Sequence, residues 1–600
     1  MFAEFAISYD KINSKVVREI FNFKDIEGQK EFFDLTNNSQ KLSTCFQKEG
    51  NFQQNTKHFF KNLNSAFHQC FKKIRIKNKT VMKKDKKDEE QHLTLLLSKL
   101  KKFLLEAHSE AGKQILKRII CQTEKDISSL VASKNAQKIK DQIGHFHTLN
   151  GSFSQNGMWK VKAKLFPRPH DPPMAKKDSE GNLITETEPL KHLYLNTYKQ
   201  RLKHRNMKSE FKDIFELKSS LWELRLEDIR KKKSEPWKMT DILKATKSLK
   251  KNQSRDPNGY INEIFHKEVM GSDLKKALLF LMNGIKFNLD FPREIQLANI
   301  TSIYKNKGSG LNLENDRGIF IVSVLRKILD KLIYEDKYED IESEMSDSNI
   351  GARRGQNIRN HLFIVYGIIN SVLKEEKGCI DLQIYDLIKA FDSLWLEDCL
   401  NDICESLPEE KLDDKIAMIY ESNVKNLFAV NTAVGQTDMV DMPRVVMQGG
   451  TFGPLLCSNS IDKLGKKCHQ RGKHTFLYTK LVRVMPLSMT DDLLGLARCG
   501  FESLALNSFI NVQIELKKLK FHTKDARGKS KCHKLHIGTK NQNCPELEVH
   551  GTEMEQVTHD TYLGDIISHD CKNEKNLRNR EAKGTVIMND ICNMLENIFR

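Results

Sequence analysis

The chain has 600 residues, too many for one simple core, so two to four domains are expected. Its 98 Lys and Arg against 79 Asp and Glu give a formal net charge of +19 and a pI near 9.1, a balance that suits a polyanionic partner and equally a Lys-rich soluble protein. The best apolar run, Ala277 to Met282, is far short of the roughly 20 residues of a membrane helix, so no membrane partner is expected. Met1-Phe2-Ala3-Glu4-Phe5 carries no basic stretch followed by an apolar core, so no secretory signal is read. Thirteen scattered cysteines without a Cys-x-x-Cys pair point to a reducing compartment rather than a disulfide scaffold.

Residues 1–75 read as helical segments punctuated by aromatics, such as Glu31-Phe32-Phe33 and His58-Phe59-Phe60. Residues 76–150 are rich in charge and leucine (Leu93 to Leu100, Ile115 to Ile120), the composition of amphipathic helices or a coiled coil without a sustained heptad. Lys83 to Lys87 and Arg230 to Lys233 are short basic runs, suited to phosphate, to nuclear import or simply to a solvated helix face. Residues 151–234 read as a linker and N-terminal extension, with the proline-rich Phe166 to Pro173 and a turn at Asp178 to Leu183. Beyond residue 235 apolar periodicity becomes dense. Helices are expected over Asp273 to Phe287, around Val324 to Ile333 and around Ile358 to Val372. Strands are expected at Ala298 to Tyr304, Cys379 to Tyr385 and Leu427 to Val430, so the fold class is α+β. A last helix carries Ile587, Ile591, Met594, Leu595 and Ile598.

Three segments carry chemistry. Asp386 ends an apolar run, which places it at the exposed end of a half-buried strand. Asp491 and Asp492 lie between Met485-Pro486-Leu487-Ser488-Met489-Thr490 and Leu493-Leu494-Gly495-Leu496-Ala497, the pattern of a hairpin whose tight turn presents two carboxylates. Between them lies Gln448-Gly449-Gly450-Thr451-Phe452-Gly453-Pro454. Carboxylates are the right ligands for a hard divalent cation, and nucleotidyl transfer uses two such ions in line with the attacking and leaving oxygens. Taken singly, an Asp-Asp pair reads as a surface turn and a Gln-Gly-Gly as a loop. Their order and spacing are what point to a polymerase palm. Cys532-His533-x-x-His536, with Cys544, has the residue types of a zinc knuckle but poor spacing.

Residues from about 235 to 570 resemble the reverse transcriptase domain of non-LTR (LINE-type) retrotransposons. The resemblance runs through Arg255-Asp256-Pro257-Asn258-Gly259, Ile303-Tyr304-Lys305-Asn306-Lys307-Gly308 with Asn315-Asp316-Arg317-Gly318-Ile319, and Asn349-Ile350-Gly351-Ala352-Arg353-Arg354. It continues through Asp386 with Phe391 and Asp392, Gln448-Gly449 with Pro454, Asp491-Asp492, Lys529 to Gly538, and Tyr562-Leu563-Gly564. The sequence departs from the family at Thr490, where Ala or Val is usual, and at Ala352, where an aromatic is usual; neither change removes a metal ligand.

The resemblance implies a polymerase right hand with fingers over 235–378, a palm over 379–545 and the start of a thumb over 546–600. It implies Asp386, Asp491 and Asp492 as catalytic residues holding two Mg²⁺ (or Mn²⁺) ions. Lys305, Lys307, Arg317, Gln448, Gly449 and Lys531 would meet the incoming nucleotide, and Phe391 would sit beneath its sugar and disfavour a 2′-hydroxyl. The implied partners are an RNA template, a DNA primer or target and dNTPs. As a ribonucleoprotein the chain would occupy nucleus and cytoplasm. Residues 1–75 would be a helical remnant following an endonuclease, and the chain reads as a fragment of the element's reading frame, with nuclease activity supplied by missing sequence or another chain. Two alternatives stand beside this reading: an inactive remnant that only binds RNA, and an RNA-dependent RNA polymerase, against which Phe391 argues.

Overall fold

The structure is a computed structural model describing residues 18–21, 26–76, 119–123, 175–582 and 585, apart from 38, 47–50, 72, 121, 203–211, 306–307, 389, 425, 442–445, 471–475, 479–481, 499, 523–530, 540–544 and 573. The chain divides into two compact units, one of Met1–Ile20, Lys73–His170 and Asn576–Arg600, the other of Phe21–Lys72 and Asp171–Lys575. The expected amphipathic helices of 76–150 (save residues 76, 119, 120, 122 and 123), the proline-rich linker and the helix over 587–598 lie outside the described residues. The second unit is α+β, as its alternating helical and strand patterns imply.

Its first helices, α1 (Ile26–Asn37) and α2 (Phe52–Cys70), bury Phe32, Phe59, Phe60 and Phe67. Asn51 caps α2, its side chain accepting from the Gln53 amide at 3.1 Å. After α3 (Thr187–Leu202) and α4 (Lys212–Lys231) comes α5 (Ser272–Asn288), on which α1 and α2 lean. The Gly271 amide donates to Thr36 Oγ1 at 2.9 Å, and a Cβ on Gly271 would fall on the Asn37 backbone. Residues 26–70 thus share one hydrophobic cluster with residues 222–345.

Strands β1 (Leu297–Tyr304) and β2 (Asp316–Val322) form an antiparallel pair, followed by α6 (Val324–Ser343) and α7 (Ile358–Leu373). The start of α6 is capped from a distance: Asp256 accepts from the Val324 and Tyr260 amides, each at 2.8 Å. That is the structural use of Asp256-Pro257-Asn258-Gly259. Next come β3 (Cys379–Asp386), α8 (Leu396–Ser406), α9 (Asp414–Val424) and β4 (Leu427–Thr432). β4 pairs parallel with β1, so the first five-stranded sheet draws strands from both sides of residue 378. α3 covers it through Leu190, Tyr194, Tyr198 and Leu202.

The second five-stranded sheet follows α10 (Gly453–Gln470). It comprises β5 (Leu487–Met489), β6 (Asp492–Ala497), β7 (His533–Gly538) and β8 (Glu555–Val557) around β3, in the order β5-β6-β3-β7-β8, with α11 (Phe501–Leu516) between β6 and β7. β3 was expected to be half-buried. It is buried on both faces: α7 covers one through Val365, Ile369 and Val372, and α11 covers the other through Leu506, Ile510 and Ile514. The polar residues that interrupt its apolar run are satisfied inside. Gln383 Nε2 donates to the Ser503 carbonyl at 2.8 Å, and the Tyr385 hydroxyl lies 2.6 Å from Gln383 Oε1. A hairpin of β9 (His559–Tyr562) and β10 (Asp565–Ser568) closes the unit, turning at Leu563 and Gly564, both at positive φ.

Candidate active site

The site begins with strand register. β3 and β6 run antiparallel with Asp386 directly opposite Asp492, so two carboxylates leave the same end of the sheet from neighbouring strands. β5 and β6 are joined by a two-residue turn, Thr490-Asp491, since Met489 pairs with Asp492. Asp491 therefore sits in the turn itself, next to the cross-strand pair. Two-residue hairpins need positive φ to match strand twist, and Thr490 supplies it at φ +59°. That region disfavours a β-branched residue, so strain is held at the residue before the carboxylates.

The three carboxylates repel one another. Burial and then the charges of Asp491 and Asp386 push Asp492 up to about 6, although its side chain reaches solvent. Asp491 is also raised, by burial first and by Asp386 next, while Arg317 pulls the other way. Arg317 lies on β2, exposed, so the first sheet presents a cation toward the carboxylates of the second. Lys531 Nζ stands 3.9 Å from Asp386 Oδ2.

This donor set suits a hard divalent cation. Among the described residues no three Asp, Glu, His or Cys groups form a ready-made cage. Mg²⁺ is commonly held by one or two carboxylates plus substrate phosphates, so oxygen donors at one strand end fit it without such a cage.

The Gln448-Gly449 loop lies along β2. The Phe320 amide donates to the Gln448 carbonyl at 3.0 Å. Gly449 has φ +102°, and a Cβ there would stand 3.0 Å from the Phe320 carbonyl oxygen, so a glycine is needed for this approach. Gln448 and Gly449 thus pack on β2 close to Arg317, the residue of that strand whose charge acts on Asp491. Lys305 closes the end of β1, its amide donating to the Asn315 carbonyl at 2.8 Å. Lys307 lies outside the described residues. Phe391, in the short helix Ala390–Ser393, is half-buried and packs on the main hydrophobic cluster.

The zinc-knuckle reading of Cys532, His533 and His536 is not supported, because each side chain is otherwise engaged. His533 Nδ1 pairs with Asp560 Oδ2 at 2.5 Å, His536 Nδ1 with Asp381 Oδ1 at 2.9 Å, and Cys532 is buried with its Sγ 3.8 Å from the Asp386 carbonyl oxygen. His533 and His536, three apart on β7, point to opposite faces, and Cys544 lies outside the described residues.

Some supporting residues gave little sign in the sequence. Lys176 and Asp316 form a buried ion pair at 2.8 Å beneath the β1–β2 connection, joined by Ser302 Oγ at 2.7 Å from Asp316 Oδ2. Lys517 Nζ bridges Asp402 at 2.6 Å and Asp398 at 3.5 Å between α8 and the end of α11. Polar residues inside apolar runs, such as Asp381 and Gln383 in β3, were the available signal. Arg353 ties to Glu342 at 2.7 Å and to the Ser346 carbonyl at 2.7 Å.

No family model matches this chain. No helix among the described residues is long and apolar enough to cross a membrane.

Proposed function

We propose that this chain is a metal-dependent nucleotidyltransferase that joins a nucleotide to a hydroxyl terminus. More particularly, we read it as an RNA-directed DNA polymerase of the non-LTR retrotransposon kind, with the second sheet as palm and the β1–β2 pair as fingers of a right hand. The observation that carries this reading is the register that sets Asp386 against Asp492, with Asp491 in the adjoining turn and Arg317 across from it.

Asp386, Asp491 and Asp492 would hold Mg²⁺, which when bound supplies charge neutralisation for an in-line displacement at phosphorus. Arg317 and Lys531 stand where they would draw the triphosphate in and offset the charge that develops on its oxygens. Gln448 and Gly449, held against β2, would meet the incoming nucleotide. Phe391, braced by the core behind it, would meet the sugar and select against a 2′-hydroxyl. Little covalent work falls to the protein; positioning and charge do most of it. The partners in this reading are an RNA template, a DNA primer and dNTPs, with the strand-nicking nuclease supplied elsewhere and a ribonucleoprotein passing between cytoplasm and nucleus.

The test is extension of oligo(dT) on poly(rA) with Mg²⁺ and dTTP. Wild-type chain extends the primer, and Asp491→Asn abolishes extension while leaving RNA binding intact. RNA binding without any extension by the wild type identifies a remnant that only binds RNA, and preference for NTPs over dNTPs identifies an RNA polymerase.

A further inference from the structure

The hairpin that carries Asp491 and Asp492 does not hold its shape alone. Segment 346–353 runs beneath it. The Ile350 amide donates to the Ser488 carbonyl at 3.1 Å, and the Ser488 amide donates to the Ser348 carbonyl at 2.9 Å, so Asn349 bridges in parallel to Ser488 on β5. Asn349 is fully buried. Its Nδ2 donates to the Ser458 carbonyl at 2.7 Å, and its Oδ1 accepts from the Gly351 amide at 2.8 Å. The segment is pinned at both ends: Ser346 donates to Asp462 on α10, and Arg353 clamps Glu342 at the end of α6. Its tip is Gly351. A Cβ on Gly351 would fall on the Ser458 hydroxyl and come within 2.6 Å of the Thr490 amide nitrogen. That nitrogen belongs to the residue at φ +59°, one position before Asp491. Ser458 Oγ is buried and finds no hydrogen-bond partner among the described residues, so this contact is one of shape and not of hydrogen bonding.

We infer that Gly351, set by Asn349, is a positioning residue for the carboxylate turn: its bare Cα lets Thr490 sit down on segment 346–353 in a backbone conformation the residue otherwise avoids, and this fixes where Asp491 and Asp492 point. The inference rests on the polymerase reading for its consequence in catalysis, but not for its structural content. A chain atom at Gly351 lifts the turn, because the Thr490 backbone cannot move aside as a side-chain end can.

The experiment uses the full chain and five forms: wild type, Gly351→Ala, Ser458→Ala, Gly351→Ala with Ser458→Ala, and Gly351→Ala with Thr490→Gly. Hydrogen exchange of the Met489–Asp492 amides is read first and needs no activity. Gly351→Ala speeds it at least tenfold while α5 and α9 exchange as in the wild type. Thr490→Gly in the same chain restores it, since glycine lets the lifted turn find another low-strain path. Ser458→Ala does not restore it. In primer extension Gly351→Ala lowers kcat at least tenfold, with KM for dTTP and primer–template Kd within twofold, and Thr490→Gly recovers most of the loss. Unchanged exchange at the turn in Gly351→Ala overturns the inference, and so does rescue by Ser458→Ala in place of Thr490→Gly. Altered exchange in a chain whose wild type extends no primer upholds the positioning and overturns the polymerase reading instead.

Discussion

Asp492→Asn should make the metal-free protein more stable at neutral pH. Asp492 is raised from 3.8 to about 6 by burial and by two neighbouring carboxylates. A raised acid binds its proton more tightly in the folded state, so between pH 4 and 6 the native chain holds more protons than the unfolded one. Stability from this group therefore falls as pH rises through that window, and at pH 7 the charged form is a net cost. Two pK units correspond to about 3 kcal/mol. The side chain reaches solvent, so screening brings the expected gain down to about 1 kcal/mol. Urea unfolding in EDTA at pH 7 and pH 4 measures it. The asparagine variant should exceed the wild type by about that 1 kcal/mol at pH 7, with the advantage gone near pH 4. Added Mg²⁺ should then stabilise the wild type more than the variant, because ligand binding to the folded form adds stability by mass action. A variant less stable than wild type at pH 7 in EDTA, or an advantage that ignores pH, would refute the view that these carboxylates strain one another.

Three further outcomes follow from particular contacts. Lys176→Met leaves Asp316 charged and buried, at a cost of about 3–5 kcal/mol in urea unfolding, whereas Lys176→Met with Asp316→Leu recovers most of it; a single-variant loss under about 1 kcal/mol sinks the buried pair. His536 is raised by its hydrogen bond to Asp381, so the stability it adds is fully present below its ordinary value near 6.5 and is lost as pH rises through its folded value; His536→Gln should remove that fall in stability above pH 6.5, and an unchanged slope assigns it to another group. Phe391→Val should raise ribonucleotide use on the order of tenfold relative to deoxynucleotides, a change typical of reshaping one apolar contact; unchanged sugar selectivity removes Phe391 from that role.

The elements of the second unit follow the apolar pattern closely. The helix expected over Asp273 to Phe287 runs Ser272–Asn288, and the strand expected over Ala298 to Tyr304 runs Leu297–Tyr304. The hairpin at Asp491-Asp492 was readable because apolar flanks around a tight turn are local signals. What the sequence hid is non-local. No periodicity shows that Asp256 caps a helix starting 68 residues later, that Lys176 lies under Asp316, or that Gly351 bears on Thr490. β3 misled in the same way: Asp381 and Gln383 look like the solvent side of a half-buried strand. Their partners, His536 and Ser503, arrive from 155 and 120 residues away and make burial of both faces affordable.

That burial bears on the site as well as on the fold. In a strand covered on both faces, a slip by one residue would turn Asp381 and Gln383 into the apolar face under α7 and break their bonds to His536 and Ser503. The register of β3 against β6 is therefore fixed, and with it the opposition of Asp386 and Asp492. Two unfavourable features are concentrated just beyond this rigid pair, the repulsion among three carboxylates and the positive φ of Thr490. Neither would persist in a hairpin free to relax, since a shift of the turn would ease both. They persist because the strands behind the turn cannot move and segment 346–353 closes the space below it. A divalent cation would remove the repulsion but leave the backbone strain. Binding of the ion should then stiffen the carboxylates without moving the turn, so metal and metal-free forms should exchange the Thr490 and Asp491 amides at closely similar rates. A large slowing on metal addition would mean that the ion, and not the scaffold, sets the turn.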